Sequence, residues 1–341
     1  MGVGVALVLV GLSTGMTGCA GGVGRSERAQ GPAPDAVMLS QARERAIGLL
    51  DELSQHADPQ IRGNALEGLL DAPGRSQAAL ARALQDQSPG VRAIALMGIG
   101  RARRAELARQ AVGLLGETSP YVRVSAAYAL AANGDTSGMG EIARALLHAE
   151  DPLLRSHAAM VLGELGNRSA LPLLREAIGK PMTMAPAGQV RLMTLQMSEA
   201  MVKLGDVDQV QPIRAALYPA RSDDLEATAL AAGILGNVRD HGSIDQLVLL
   251  TARLDQQGKP MPAEVRLSAA YALAKLGRRQ GDFIARAYLT DPSGPIRGQA
   301  ALLLGEIGRG EFLGDLEPML ADPDPRVRVH VATAIVRLTR P

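Results

Sequence analysis

The stretch that decides the fold is "DPLLRSHAAMVLGELG", residues 151–166. Its first seven positions hold an aspartate, an arginine and a histidine, residue types that also occur together in catalytic sites. Its apolar residues recur from Leu154 to Leu165 at steps of four, four and three, which is the spacing of one helical face. The opening Asp-Pro suits a helix start and the final glycine suits a helix end. The stretch therefore predicts one complete helix.

Near-copies of this stretch recur along the chain and mark it as a repeat unit. An arginine after an aliphatic residue sets the register of eight copies, and Glu226 replaces it in one more. Intervals are 30 to 32 residues up to the fourth arginine, 31 between the last three, and 35 to 40 in the middle. A catalytic pair is not needed in several copies, so the repetition favours a structural role. The marker arginines are Arg62, Arg92, Arg123, Arg155, Arg191, Arg266, Arg297 and Arg328.

Each copy is followed by a second apolar segment, such as "ALPLLREAIG" at 170–179. One such helix pair cannot bury its apolar face alone, whereas stacked neighbours bury a continuous core. The sequence therefore predicts an all-α fold, an α-α superhelix (solenoid) of about nine helix pairs.

The pattern D-P-x-V-R-x-x-A-A-x-A-L-G-x-I-G resembles HEAT repeats, in particular the short HEAT-like units named after phycobilisome lyases. The resemblance covers roughly residues 40–340 and is loosest in the fifth and sixth units. It implies that the repeated aspartates and arginines cap helix ends and bond across neighbouring units. It implies a fold and no particular activity, because function lives in sites grafted on a fold.

Composition agrees with closely packed helices. The chain has 341 residues, of which 47% are hydrophobic and only 2% aromatic, a balance that suits a β-sandwich badly. Its 36 basic and 35 acidic residues give a net charge of +1, without the strong positive field of nucleic-acid-binding proteins. We expect one elongated domain and no nucleic-acid partner.

The N-terminus indicates export. "VGVALVLVGL" (3–12) is too short to span a bilayer and suits a secretory signal. "GMTGCAGG" (15–22) resembles a bacterial lipobox, which implies that Cys19, the single cysteine, is lipidated. The expected organisation is a signal peptide over 1–18, a flexible tether over 19–36 and the solenoid over 37–341.

The resemblance also implies a subcellular location. Because Ala20 follows the cysteine, the protein is expected at the outer membrane, facing the periplasm. Residues 1–18 contain no lysine or arginine, although such signals begin with positive charge. Either the true start lies upstream of Met1 or the signal is weak. A buried N-terminal helix with an incidental cysteine is the alternative.

Familiar catalytic and metal-binding motifs are missing from the sequence. There is no H-E-x-x-H or phosphate loop, and the one G-x-S-x-G match, at residues 11–15, falls within the predicted signal peptide. Deoxyhypusine hydroxylase, an enzyme built on such repeats, binds iron through His-Glu dipeptides, and this chain has none. His157 and His330 occupy equivalent repeat positions that elsewhere carry Asn, Ser or Gln, so we expect both at the surface. We predict no catalytic residue, no cofactor and no enzymatic activity.

Met193, Met197 and Met201 form a stripe on one helical face. Core filling in an irregular repeat, an adaptable groove for an apolar peptide, and thioether binding of Cu(I) all fit this pattern.

A stack of helix pairs curves and presents one helix of each pair on a concave side. In each unit an aliphatic residue precedes the marker position, and the residue six positions after that aliphatic is predicted to point from the concave side into solvent. We expect a non-enzymatic scaffold that binds a protein or peptide along this row; the alternative is a periplasmic copper or small-ligand binding protein that uses the Met-rich fifth repeat. The predicted row contains Glu67, Met97, Tyr128, Met160, Gln196, Ala231, Tyr271, Leu302 and Thr333.

Overall fold

The computed structural model describes residues 34–254 and 258–340. Within these ranges the chain is all-α, and its β-structure is one isolated bridge between Leu254 and Pro260. The predicted fold class is therefore confirmed.

The helices form two layers. The outer layer contains α1 (Ala36–Leu53), α3 (Gln77–Ala83), α5 (Ala105–Ala108), α7 (Met139–His148), α9 (Leu171–Gly179), α11 (Val210–Ala215), α13 (Ile244–Ala252), α15 (Asp282–Tyr288) and α17 (Leu313–Leu316). Turns of 3-10 helix supplement this layer, the longest over Arg109–Gly116. The inner layer contains α2 (Pro59–Leu69), α4 (Pro89–Arg101), α6 (Pro120–Ala132), α8 (Pro152–Leu165), α10 (Ala187–Lys203), α12 (Leu225–Asn237), α14 (Ala263–Lys275), α16 (Gly294–Ile307) and α18 (Pro325–Leu338).

The stretch at 151–166 forms α8 as its start and stop signals predict. Asp151 Oδ1 accepts a hydrogen bond from Leu153 N at 2.9 Å, which satisfies one of the free amides of the first turn. Gly166 ends the helix in the left-handed conformation at a φ of 73°.

Several of the marker arginines link successive units. Arg62 donates to both carboxylate oxygens of Asp86 in the next loop, at 2.8 and 2.7 Å, and to His56 O in the preceding loop at 2.8 Å. Arg297 repeats the arrangement with both oxygens of Asp322 at 2.9 Å and with Asp291 O at 2.8 Å. The repeated aspartates and arginines therefore cap helices and bond across units, as the resemblance implied.

Small residues let the inner helices approach closely. A Cβ on Gly305 of α16 would lie 2.6 Å from the Cα of Ala334 on α18, and one on Gly236 of α12 would lie 2.8 Å from the Cα of Ala272 on α14. Only glycine fits such a spacing, because no real Cβ atom comes so near to backbone.

The superhelix closes on itself. Each inner helix packs on the next, and α18 packs on both α2 and α1. Arg43 Nη1 of α1 donates to Val336 O of α18 at 2.6 Å, and Arg45 forms an ion pair with Glu317. One apolar cluster joins residues between 42 and 130 to residues between 267 and 338. The predicted solenoid is thus a ring whose concave side forms a central lumen.

Candidate functional site: the lumen of the helix ring

The lumen contains two adjoining cavities. One, of about 410 Å³, is lined by α2, α12, α14, α16, α18 and the end of α4. The other, of about 540 Å³, is lined by α4, α6, α8 and α10. Arg101 borders both. Both volumes are in the range of small-molecule sites, about 300–1,000 Å³.

A polar girdle surrounds the lumen where the inner helices end. It contains Asp71, Arg101, Glu164, Glu199, Lys203, Asn237, Tyr271, Lys275, Glu306 and Arg337. Arg101 of α4 donates to both oxygens of Glu164 on α8, with a shortest contact of 2.7 Å. Arg337 of α18 donates from Nε to Asp71 Oδ2 at 2.6 Å and from Nη1 to Tyr271 Oη at 2.8 Å.

The rest of the girdle is paired in the same way. Tyr271 Oη donates to Glu306 Oε2 at 2.9 Å, and Lys275 Nζ donates to Asn237 Oδ1 at 2.6 Å. Lys203 Nζ lies 2.9 Å from Glu199 Oε1. Every cation of the girdle therefore already has an oxygen partner, and such charge-assisted bonds hold the lumen wall in place.

Burial and interactions with neighbouring polar groups shift the pKa values of the girdle residues in opposite directions. Burial raises the pKa of Glu164, but the hydrogen bonds from Arg101 and Tyr128 outweigh it and leave that pKa below its usual range. Burial lowers the pKa of Lys275, which has an amide oxygen as its hydrogen-bond partner.

Two side chains on the wall of the smaller cavity have buried polar atoms without hydrogen bonds: neither ring nitrogen of His330 nor Oε1 of Gln299 has a partner in the described part of the chain. Glu67, on the same wall, is partly exposed. His330 is only 6% exposed. We call Glu67, Gln299 and His330 the lumenal trio.

The trio occupies a desolvated environment. Burial raises the pKa of Glu67, and the nearby Arg101 and Arg337 offset this rise only in part. Burial, followed by the charge of Arg337, lowers the pKa of His330 to about 4. His330 is therefore neutral at pH 7, with one N–H donor and one acceptor nitrogen.

The predicted concave row is partly misplaced. Glu67, Tyr271 and Leu302 line the smaller cavity. Met97 is only 1% exposed and lines neither cavity, so the prediction that it faces solvent is wrong. Tyr128 lines the larger cavity but is only 3% exposed, because it packs over Gly100 of the neighbouring helix and its hydroxyl bonds to Glu164.

Other members of the row differ from one another. Met160 and Gln196 are partly exposed but outside the lining of both cavities, Ala231 is fully buried, and Thr333 lines the smaller cavity.

The prediction that His157 and His330 are surface residues is also wrong. His157 is 3% exposed, and its Nε2 lies 2.9 Å from Ser125 Oγ on the neighbouring inner helix. Side chains at this register pack against the neighbouring inner helix, as the bond between Ser125 and His157 shows. Polar residues occupy the register in seven of the nine units, with Ile94 and Met193 in the other two, and this recurrence was the signal for an interior position.

The methionine stripe lies in the core. Met193, Met197 and Met201 are 2%, 0% and 1% exposed and belong to one apolar cluster with residues of α6 and α8. This packing supports core filling; Cu(I) or peptide binding there stays a prediction. The described residues contain no group of three or more His, Cys, Asp or Glu that would hold a metal ion.

The predicted signal peptide, Cys19 and most of the tether lie outside the described residues, and α1 begins at Ala36. Among the described helices, none has the length and apolar character needed to cross a membrane.

Comparison with known proteins supports the repeat assignment. A family model of HEAT repeats matches residues 77–139 and, in an overlapping match, residues 111–182. A comparison with curated protein sequences found no match. Human deoxyhypusine hydroxylase is 19% identical over 88% of this chain and 98% of that one, with a TM-score of 0.37. The complex of CpcE and CpcF of phycocyanin lyase from Nostoc sp. PCC7120 is 18% identical over 92% and 98%, with a TM-score of 0.34.

These likenesses correct one prediction. The conclusion that the chain is not an enzyme is contradicted, because one of the matched structures, human deoxyhypusine hydroxylase, is that of an enzyme. Missing motifs are therefore no ground for excluding catalysis. At these identities and TM-scores the likenesses give no positive evidence of an activity either.

Proposed function

We propose that the protein is a binding protein whose ligand occupies the lumen of the ring. The observation that carries this proposal is a cavity of about 410 Å³ whose wall includes Glu67, Gln299 and His330, the last two with buried polar atoms that have no hydrogen-bond partner in the described chain. A buried polar group without a partner costs about 1–3 kcal/mol. A ligand that supplies the partners recovers this free energy, whereas a purely structural core would contain apolar residues at these positions.

Ligand exchange requires an entrance, and the arrangement of the lining supports one. The girdle closes the end of the lumen where the inner helices end. Asn64 and Ser268, nearer the starts of their helices, also line the cavity and are partly exposed. We place the entrance at this second end.

Native mass spectrometry of protein purified from its native source tests the proposal. We expect a bound small molecule in the wild type and its loss in Leu302→Trp, which fills the cavity. Val112→Trp is the matched control, because Val112 is 54% exposed on an outer 3-10 helix. A bound species retained by Leu302→Trp, or no bound species in any variant, would contradict lumen binding.

A second function, as a scaffold for a protein or peptide, is favoured by the outer layer. Leu249 and Val248 of α13 are 67% and 49% exposed, and Phe283 of α15 is 66% exposed. Large apolar side chains grouped on a surface are a feature of protein-binding sites. The partner then docks on the outside of the ring, where these apolar side chains are exposed.

Photo-crosslinking in the native envelope tests the scaffold. A crosslinker at position 249 is expected to capture one specific protein, and Phe283→Glu is expected to abolish the capture. A crosslinker at Arg144, whose side chain is 66% exposed on α7, is the control. Equal capture from both positions would argue against a docking site.

We further propose that a lipid on Cys19 holds the ring at the bacterial outer membrane, facing the periplasm. The support is the lipobox-like segment before Cys19. Two or more acyl chains are needed for durable anchoring. Cys19→Ala is expected to move the protein from the membrane fraction to the soluble fraction, and mass spectrometry of the mature N-terminal peptide is expected to show the acyl chains. An unmodified Cys19 in that peptide would refute the anchor.

A further inference from the structure

The wall of the smaller cavity is layered. Most of it comes from α14, α16, α18 and α2, which are consecutive inner helices once the ring is closed. Because these helices stack in the same register, one repeat position in each unit supplies one layer of side chains. The layers lie three, six and ten positions after the aliphatic residue that precedes the marker.

The layer three positions on is the one nearest the proposed entrance, and it is uncharged. It includes Asn64 and Ser268, both partly exposed. Asn64 Oδ1 accepts a hydrogen bond from Gln60, whereas the Asn64 amide nitrogen and the Ser268 hydroxyl have no partner among the residues that the structure describes. The amide nitrogen offers donors, and the hydroxyl can both donate and accept. This layer therefore suits the hydroxyl groups of a ligand.

The middle layer, six positions on, adds carbon surface and an acceptor. Leu302 and the ring of Tyr271 form apolar wall, and Glu67 contributes a partly exposed carboxylate. The Tyr271 hydroxyl is already used, because it donates to Glu306 at 2.9 Å. A ligand at this level meets hydrocarbon beside one carboxylate.

The layer ten positions on belongs to the girdle, and its charges compensate one another. Arg337 is bonded to Asp71, Arg101 of the adjoining helix α4 is bonded to Glu164, and Lys275 donates to an amide oxygen. A charged ligand would add its charge to a balanced wall or displace one of these partners, and both are costly in a partly buried site. The three cations at this cavity and the three carboxylates beside them are Arg101, Lys275 and Arg337 against Glu67, Asp71 and Glu164.

From this layered wall we infer that the lumen binds a small neutral sugar. The inference rests on the proposed lumen-binding function and names its ligand class. Sugar hydroxyls both donate and accept, so they match the amide of Asn64, the hydroxyl of Ser268 and the carboxylate of Glu67. They are also spread around the sugar ring, so these wall groups need not converge on one point. The C–H groups of the sugar pack on Leu302 and Tyr271, and the volume of about 410 Å³ suits a small molecule.

A neutral hydrocarbon ligand fits less well. It would cover the amide of Asn64 and the hydroxyl of Ser268 without replacing the water that these groups bind in the open cavity. Each polar group covered in this way costs free energy that a sugar hydroxyl restores.

Saturation-transfer NMR of the full chain tests the class with one sugar ring in three charge states: glucose, glucuronate and glucosamine. Galactose and mannose are added as further neutral hexoses, and the pH is 6.5, so that the amine of glucosamine is protonated. We expect saturable binding of one or more neutral hexoses, and binding of glucuronate and of glucosamine that is about 10-fold weaker or more.

Variants of the wall locate the bound sugar. Ser268→Ala is expected to weaken hexose binding about 3- to 10-fold, because it removes one hydrogen bond, and Leu302→Trp is expected to abolish it. Ser137→Ala is the matched control, because Ser137 is exposed on the turn before α7. It is expected to bind the hexose as the wild type does.

The outcomes separate the two proposals. If glucuronate or glucosamine binds as tightly as the neutral hexoses, the ligand class is wrong and lumen binding stands. If none of the five sugars binds, the sugar inference is overturned, and native mass spectrometry decides lumen binding separately. Undiminished hexose binding by both Ser268→Ala and Leu302→Trp would place the sugar outside the lumen and would overturn the inference as well.

Discussion

Asp71 and Arg337 lie 266 residues apart in the chain, yet Asp71 Oδ2 and Arg337 Nε are joined by an ion pair of 2.6 Å. Their side chains are 17% and 25% exposed, and Arg340 contacts the second oxygen of Asp71. The pair joins the first repeat to the last and also belongs to the lumenal girdle. Closure of the ring and construction of the lumen therefore depend on the same contact.

Asp71→Ala is expected to lower the free energy of unfolding by about 1–3 kcal/mol, because it leaves Arg337 without its carboxylate in a half-buried position. Urea unfolding followed by circular dichroism measures the change. Glu44→Ala is the control: its ion pair with Arg75 is more than half exposed on both sides, so we expect a change within about 0.5 kcal/mol. Equal effects of the two substitutions would show that closure does not depend on Asp71.

Gly305→Val is expected to destabilise the protein by about 3 kcal/mol or more, because the new side chain meets the backbone of Ala334 and forces α16 from α18. Gly48→Ala tests the opposite case. Gly48 is in the interior of α1 and has open space where an alanine Cβ would lie, so alanine there is expected to stabilise by about 0.5–1 kcal/mol. Thermal unfolding of both variants checks the pair, and a neutral Gly305→Val would rule out tight packing between these helices.

The buried imidazole of His330 predicts a pH dependence. Its pKa is lowered from 6.5 to about 4 in the folded protein, so the folded state disfavours its protonated form. The stabilisation is complete above pH 6.5 and is lost as the pH falls towards 4, for a total of about 3 kcal/mol. His330→Gln is expected to flatten this part of the stability profile, measured by urea unfolding between pH 7 and 4.

His148→Asn is the control for that profile, because His148 is exposed at the end of α7. It is expected to retain the wild-type slope. If His330→Gln showed the same slope as well, the acid sensitivity would have another origin.

The core role of the methionine stripe predicts a size-dependent response. Met197→Leu is expected to cost less than about 1.5 kcal/mol, because it conserves volume, whereas Met197→Ala is expected to cost about 2–5 kcal/mol through the cavity it leaves. Chemical unfolding measures both. A Cu(I) affinity that falls in Met197→Leu while stability is retained would instead support the thioether site.

Much of the fold could be predicted from local signals. The Asp-Pro start of α8, its apolar spacing and Gly166 are features of neighbouring residues, and each acts within one or two helical turns. The marker arginines predicted links between units because an identical residue at an identical register meets an identical neighbour; Arg62 and Arg297 show this. Repetition also indicated that Asp151 and Arg155 are structural.

The lumen was decided by tertiary structure. Whether nine units form an open superhelix or a ring depends on small rotations between neighbours that add up along the chain, and no single unit encodes their sum. Closure brings Asp71 of the first unit to Arg337 of the last, a contact that no signal within either unit predicts. The amino-acid sequence by itself thus determined the helices, their caps and their pairing, because those interactions are local. Only the closed tertiary structure determined which polar side chains share the lumen, because that depends on contacts between the two ends of the chain.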